Sequence, residues 1–422
     1  MSIAARRLVV IALAAAFLLG ACESTGPTAS PAGPASAPAS GPATDAPPTP
    51  TPRPAAEVYA EIRAAVEEIR GLRPTEEVEP VTLDEAQLIE NLQAEFDKEN
   101  TPEEIRLSED SLITFGLLPE GSDLRQIMLD FQSGQVAGYY SPDQDRLFVV
   151  SRSGAIGSIE RVTYAHEFTH QLQDQNMDLG SLGLDADDNS DGVLAALALV
   201  EGDAVSVQVS WMLANLGPAE LGELLESALD PKAMEALERA PVYVRETTIF
   251  QYQQGPAFVS SLMTGGGYDP VNEAYLDPPK STEQVLHPEK YAEREAPSIP
   301  SLPDGVAASL GEGWSEATRD TLGELVLGLW LRINGVPRAE ADAAAAGWGG
   351  DRMLMVRGPD GAIGIGLVTT WDSTTDAQEF LQAAGTAAKA VDPNAIVASD
   401  GLLRVIVALG DGAPDIFAAL AG

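Results

Sequence analysis

The chain has 422 residues, 45% of them hydrophobic, and carries 25 Lys+Arg against 64 Asp+Glu, a formal charge of −39. That length and apolar content call for a substantial core, in one large domain or two to three smaller ones, and argue against wholesale disorder. The acidic balance argues against nucleic-acid binding, which needs Lys and Arg to displace phosphate counterions. One cysteine and three histidines exclude a disulfide framework and a cysteine-rich metal site.

At the N-terminus, Arg6 and Arg7 precede an unbroken apolar run over 8–19, too short to span a bilayer comfortably, which ends in Leu19-Gly20-Ala21-Cys22. That ending resembles a bacterial lipobox. Residues 1–21 are therefore expected to be a lipoprotein signal peptide and Cys22 the lipidated residue. Several acyl chains on Cys22 would anchor the protein in a lipid bilayer, on the extracytoplasmic face of a bacterial cell envelope. Residues 23–54 hold ten prolines among Ala, Ser, Thr and Gly. Such a segment has too little apolar surface to fold, so 22–54 reads as a tether reaching up to about 100 Å.

Beyond the tether the pattern predicts an α+β protein. Val58, Ile62, Val66 and Ile69 recur at helical spacing before Gly71 and Pro74. Amphipathic stretches follow near 83–98, 102–115 and 122–132. Residues 136–140 and 146–150 are rich in aromatic and β-branched types and flank a polar turn, a β-hairpin signature. Helices are expected over about 158–175, 193–215, 217–239 and 243–264, and loops over 265–280 and 288–304. A second unit, 305–422, reads as α+β. It has helices near 321–332 and 374–390, an Ala-rich stretch at 339–346, and strand pairs 353–357 with 362–370 and 395–399 with 402–408.

The strongest chemical signal is His166-Glu167-Phe168-Thr169-His170. Histidines four apart on a helix share a face, so both imidazoles can reach one ion, while the intervening Glu turns toward a water on that ion. Catalytic zinc usually takes three protein ligands. The third must be His287 or a carboxylate. Glu201 is the best candidate, an acid inside a very apolar stretch where an unpaired charge is costly. Gly202 and Ala204 beside it are expected to let that helix approach the His helix closely.

This pair of segments resembles the gluzincin group of zinc metallopeptidases. More particularly, the chain is similar to metallopeptidase-like exported lipoproteins of bacteria over most of 56–380. The similar stretches are Ala137-Gly138-Tyr139-Tyr140-Ser141-Pro142, Gln171-Leu172-Gln173-Asp174-Gln175, 281–291 and Gly347-Trp348-Gly349-Gly350-Asp351. The resemblance implies a mainly helical zincin-like domain over 55–304 with a small edge sheet. It also implies one Zn2+ held by His166, His170 and Glu201, and hydrolysis of a peptide or protein substrate. Zinc chemistry then casts Glu167 as general base. The longer Glu-x-x-x-Asp form is missing, since position 205 is Val and the acid is Asp203. Asp203 is expected either to accept a hydrogen bond from a ligand imidazole or to meet another N–H or solvent.

His287 is expected to donate to the transition-state oxyanion, with a structural role before Pro288 or zinc ligation in place of Glu201 as alternatives. Tyr139, Tyr140, Arg245 and Tyr252 are substrate-binding candidates, against the plainer expectation that the aromatics are core. A hairpin strand could take an extended peptide along its edge. Asp187, Asn189, Asp191 and Gly192 open like a calcium loop of the EF-hand type, but the twelfth position is Ala198 where Glu is needed. Ca2+ is thus the lesser expectation, and a solvated acidic loop with Asp191 near the N-terminus of the Glu201 helix the greater. The rival to an enzyme is a non-catalytic lipoprotein whose zincin-like domain binds a partner or holds only a structural metal.

Overall fold

A computed structural model describes residues 10–13, 53–142, 144–150, 156–229 and 231–422. Cys22 and nearly all of the expected leader and tether lie outside the described residues. The exceptions are 53–54 and a short strand, β1 (Val10–Leu13).

The chain is an α+β protein, mainly helical, with two small sheets. The first helix, α1 (Ala55–Arg70), ends at Gly71, whose φ of 76° needs a residue without a Cβ. β2 (Val81–Leu83) and α2 (Glu85–Glu99) follow, the helix opened by a capping box between Asp84 and Gln87. Next come α3 (Pro102–Thr114), α4 (Leu124–Gln135) and a hairpin of β3 (Val136–Ser141) and β4 (Arg146–Val150). The first sheet has the order β1-β3-β4-β2. β1 pairs antiparallel with β3, Ile11 facing Tyr139, and β2 runs parallel to β4.

α5 (Ser158–Asn176) packs on this sheet, and its Tyr164, Ala165, Phe168 and Leu172 share a core with Tyr59, Ile62 and Val66 of α1. The opposite face of α5 meets α6 (Ser190–Asn215). α6 is apolar on all sides and long enough by length and composition to cross a membrane, yet it is buried almost throughout. It is surrounded by α1, α5, α9 (Val242–Leu262), α11 (Thr282–Leu286) and α14 (Gly323–Ile333). The single helix expected over 217–239 is two, α7 (Pro218–Ala228) and α8 (Pro231–Arg239). The segments expected as loops carry the short helices α10 (Asp269–Leu276) and α12 (Pro288–Ala292).

The C-terminal part also contains α13 (Val306–Ser309), β5 (Ser315–Asp320), α15 (Arg338–Ala345), β6 (Trp348–Arg357), β7 (Ile363–Trp371), α16 (Thr374–Val391), β8 (Ile396–Ser399), β9 (Arg404–Gly410) and α17 (Ala413–Ala421). Its sheet is antiparallel throughout, in the order β5-β6-β7-β9-β8. Strand alternation splits β6 between two cores. Met353 and Met355 face Trp330, Trp348, Trp371 and Phe380, while Leu354 and Val356 face Ile416 and Leu420 of α17. The first of these cores also takes in Phe96, Leu112, Phe115, Leu129 and Phe131. Residues on both sides of position 305 therefore share one hydrophobic interior.

Candidate metal centre

α5 presents His166, His170 and Gln173 on one face, because steps of four and three residues return to nearly the same angle. α6 crosses that face with Glu201. The Nε2 atoms of His166 and His170 lie 2.9 Å apart, and the Glu201 Oε2 is 3.2 Å from the first and 3.6 Å from the second. Bonds of about 2.0–2.1 Å in a tetrahedron put ligand atoms about 3.3 Å apart, so these separations suit one zinc ion. Glu201 Oε2 is buried without a hydrogen-bond partner among the described residues, an arrangement that a cation held with the two imidazoles would relieve. Among the described residues, His166, His170 and Glu201 form a wholly buried group of this kind.

The protonation states also suit a metal. Burial lowers the His166 imidazole, which favours its neutral form. For Glu201 burial is the largest influence and pushes the carboxyl up, but the two imidazoles together outweigh it and hold the group ionised, at about 2. His170 Nδ1 is 2.7 Å from Gln173 Oε1. The Gln173 amide has one workable orientation, because its Nε2 donates to the Val200 carbonyl and to Asp203 Oδ2, both at 3.0 Å. Its oxygen thus faces His170, whose Nδ1 carries the proton, leaving the Nε2 lone pair for the metal.

Asp203 does not reach an imidazole; Gln173 stands between it and His170. Its carboxylate meets Arg70 Nε at 2.8 Å and accepts from the Tyr275 hydroxyl at 3.0 Å. Arg70 and Gln173 were not apparent as site residues from sequence. Gln173 had a signal, its helical spacing from both histidines. Arg70 had none, since it arrives from α1, over a hundred residues upstream.

Glu167 is wholly buried and lies toward β3. A Cβ at Gly138 would stand 3.5 Å from Glu167 Cγ and 2.6 Å from the Thr163 methyl, so the absent side chain is what lets α5 lie so close to that strand. Tyr252 of α9 also belongs here, its ring centroid 6.5 Å from that of His166. Burial, then the carboxylates of Glu201 and Glu167, push the Tyr252 hydroxyl well above its ordinary range, so it keeps its proton. The approach of α9 depends on two glycines. A Cβ at Gly202 would collide with the backbone of Gly255, and one at Gly255 with the Ala198 carbonyl. Gly202 therefore opens α6 toward α9, not toward the His helix as expected.

The other candidates lie elsewhere. His287 is paired with Glu324 of α14 at 3.0 Å, a hydrogen bond that raises its pKa, and is outside the metal-capable group. Tyr139 is core, stacked on Phe148 and accepting from Asn91; burial pushes its hydroxyl up to about 12. Tyr140 donates to Asp145 and Asp174. Arg245 turns to Glu246. In the calcium-like loop, Asn189 caps α6 by accepting from Gly192 N, and Asp188 pairs with Arg352. Asp191 is buried, its Oδ1 accepting from the Thr282 N–H and hydroxyl. The Asp188–Arg352 pair, and the Asp191 N–H that donates to the Thr321 carbonyl at 3.1 Å, join the start of α6 to the C-terminal part.

A protein-family model, described as "Domain of unknown function (DUF8575)", matches residues 310–413. No curated protein matches the chain. No solved structure does so either.

Proposed function

We propose that the chain is a zinc-dependent metallopeptidase of the gluzincin type, held on the extracytoplasmic face of a bacterial membrane by lipid on Cys22. The observation that carries the catalytic part is the convergence of His166, His170 and Glu201 beside an acid, Glu167, that is not one of the three ligands. A bound zinc ion would supply a water of lowered pKa and polarise the scissile carbonyl. Glu167 takes the proton from the attacking water and passes it to the leaving amine. The Tyr252 hydroxyl, which stays protonated, donates to the developing oxyanion. An extended peptide pairs along β3, the edge that Val10–Leu13 takes in the structure. The anchoring part draws on the Leu19-Gly20-Ala21-Cys22 ending alone.

One observation favours a second reading, a non-catalytic domain with a structural metal. His166 and His170 are each 1% exposed, Glu201 2% and Glu167 0%. Zinc analysis combined with Glu167→Ala separates the two. The peptidase reading expects one zinc per chain in both proteins, and a loss of about 10²–10⁴-fold in cleavage of a peptide library for the variant. Equal cleavage by both proteins sinks it, and a wild-type chain without zinc sinks both readings. His166→Ala and Glu201→Ala are expected to lose the metal itself.

A further inference from the structure

Arg70 is fully buried, 1% exposed, on the last turn of α1. Among the described residues its Nη1 and Nη2 have no hydrogen-bond partner and the carboxylate it pairs with is Asp203, while its guanidinium lies 4.6 Å from the Tyr268 ring centroid. A permanently charged group so enclosed is costly to keep unless it does something at that place. What it touches leads in two steps to a metal-ligand candidate. Arg70 holds the Asp203 carboxylate, Asp203 takes one N–H of the Gln173 amide, and the Gln173 oxygen takes the Nδ1 proton of His170.

We propose that Arg70 and Gln173 are positioning residues that select the tautomer of His170. The device is the polarity of the Gln173 amide. With its NH2 drawn toward Asp203 and the Val200 carbonyl, its oxygen must face the ring, and the proton must sit on Nδ1. Were the amide reversed, its NH2 would face Nδ1 and force the proton onto Nε2, where it would block the cation. A fixed charge on α1 thereby decides which lone pair faces the α5–α6 centre. This inference rests on the metal reading above, and its test is chosen to stand apart from it.

The experiment has two readouts on the full chain. The first is 15N NMR of histidine-labelled, metal-free protein, which reports the tautomer with no zinc present. The second is Zn2+ affinity by competition with a chromophoric chelator. Wild type is expected to show His170 protonated on Nδ1. Gln173→Leu is expected to lose that preference and to bind Zn2+ about 10–100-fold more weakly. Arg70→Lys, which keeps a cation beside Asp203, is expected to preserve the tautomer and most of the affinity, whereas Arg70→Met is not. A purely structural role for Arg70 and Gln173 would leave the tautomer of any folded variant unchanged.

The proposal fails if wild-type His170 carries its proton on Nε2. It also fails if folded Gln173→Leu keeps both the Nδ1 proton and wild-type affinity. Should Gln173→Leu not fold, Arg70→Met still decides: the proposal fails if folded Arg70→Met keeps the Nδ1 proton and wild-type affinity. A wild-type chain that binds no zinc would overturn the peptidase reading and leave the tautomer result to judge the relay.

Discussion

Glu201 and Asp203 stand two residues apart on α6, yet they do different work. The first faces the two imidazoles, and the second closes on Arg70 and Tyr275. The His-Glu-x-x-His pattern made the first assignment legible, because helix geometry alone puts both rings on one face. It could not show that Asp203 acts through Gln173, since that depends on where α1 arrives. His287 fared differently. Its scarcity made it a catalytic candidate, but its partner is Glu324, supplied by a helix 37 residues later. Two buried acids, Asp191 in the first turn of α6 and Asp351 of β6 at the start of α14, give a prediction at this scale. Burial pushes the Asp351 carboxyl up to about 7 in spite of three N–H donors, and drives Asp191 well above its ordinary range. Their unfolded values lie near 4, so above about pH 4 the folded state binds more protons than the unfolded chain. The stability they contribute is complete below about pH 4 and is lost as pH rises through their folded values, about 7 for Asp351. Asp191→Asn keeps an oxygen for Thr282 and removes one titration. It should flatten the decline in the urea midpoint as pH rises above about 4, measured against wild type.

At the scale of elements, most helices were legible because apolar residues recur every three to four positions and polar caps mark their starts. Besides the short helices in the segments expected as loops, three elements owe their form to their packing partners. β2 has three residues and is created by its parallel partner β4. β5 is polar and largely exposed, a strand only because β6 offers it hydrogen bonds. α17 lies at the end of the chain and owes its place to the back of the C-terminal sheet. The close approach of α6 to α9 turns on Gly202 and Gly255. Gly255→Ala would drive a methyl into the Ala198 carbonyl and push the helices apart. It should destabilise the protein by about 1–3 kcal/mol. Because Tyr252 lies one turn away and Glu201 is adjacent to Gly202, zinc affinity should fall with it. Thermal unfolding and metal titration of the same sample check both parts.

At the scale of the molecule, composition suggested a boundary near 305, where a Pro-rich stretch precedes a second α+β pattern. The interior crosses that line: Phe115 packs edge-on to Trp330, their centroids 6.0 Å apart, in a core that also holds Met355 and Trp371. A chain ended at 304 would expose that surface, and is expected to lack cooperative unfolding by circular dichroism. A second tie is Lys290, whose Nζ meets Glu283 at 2.6 Å, Glu295 at 2.8 Å and Asp372 at 2.5 Å. Burial pushes Glu283 up to about 7, so Lys290→Met would leave three acids facing one another, one of them buried. The variant should be destabilised, more above pH 7 than below it, as read by the urea midpoint at pH 5 and pH 8.

By itself the sequence determined the helical spacing of His166 and His170, the acid between them, the hairpin before them and the α+β character of the whole. Each follows from a periodicity of a few residues, which local backbone geometry translates directly into a shared face. Only the tertiary structure decided that Glu201 completes the cluster, that His287 does not join it, and that Arg70 and Gln173 stand behind His170. Apart from Gln173 and His170, three positions apart on α5, those pairings join residues from about 30 to over 130 positions apart. What brings them together is the packing of one apolar helix, α6, against the helices around it, and no short pattern encodes that.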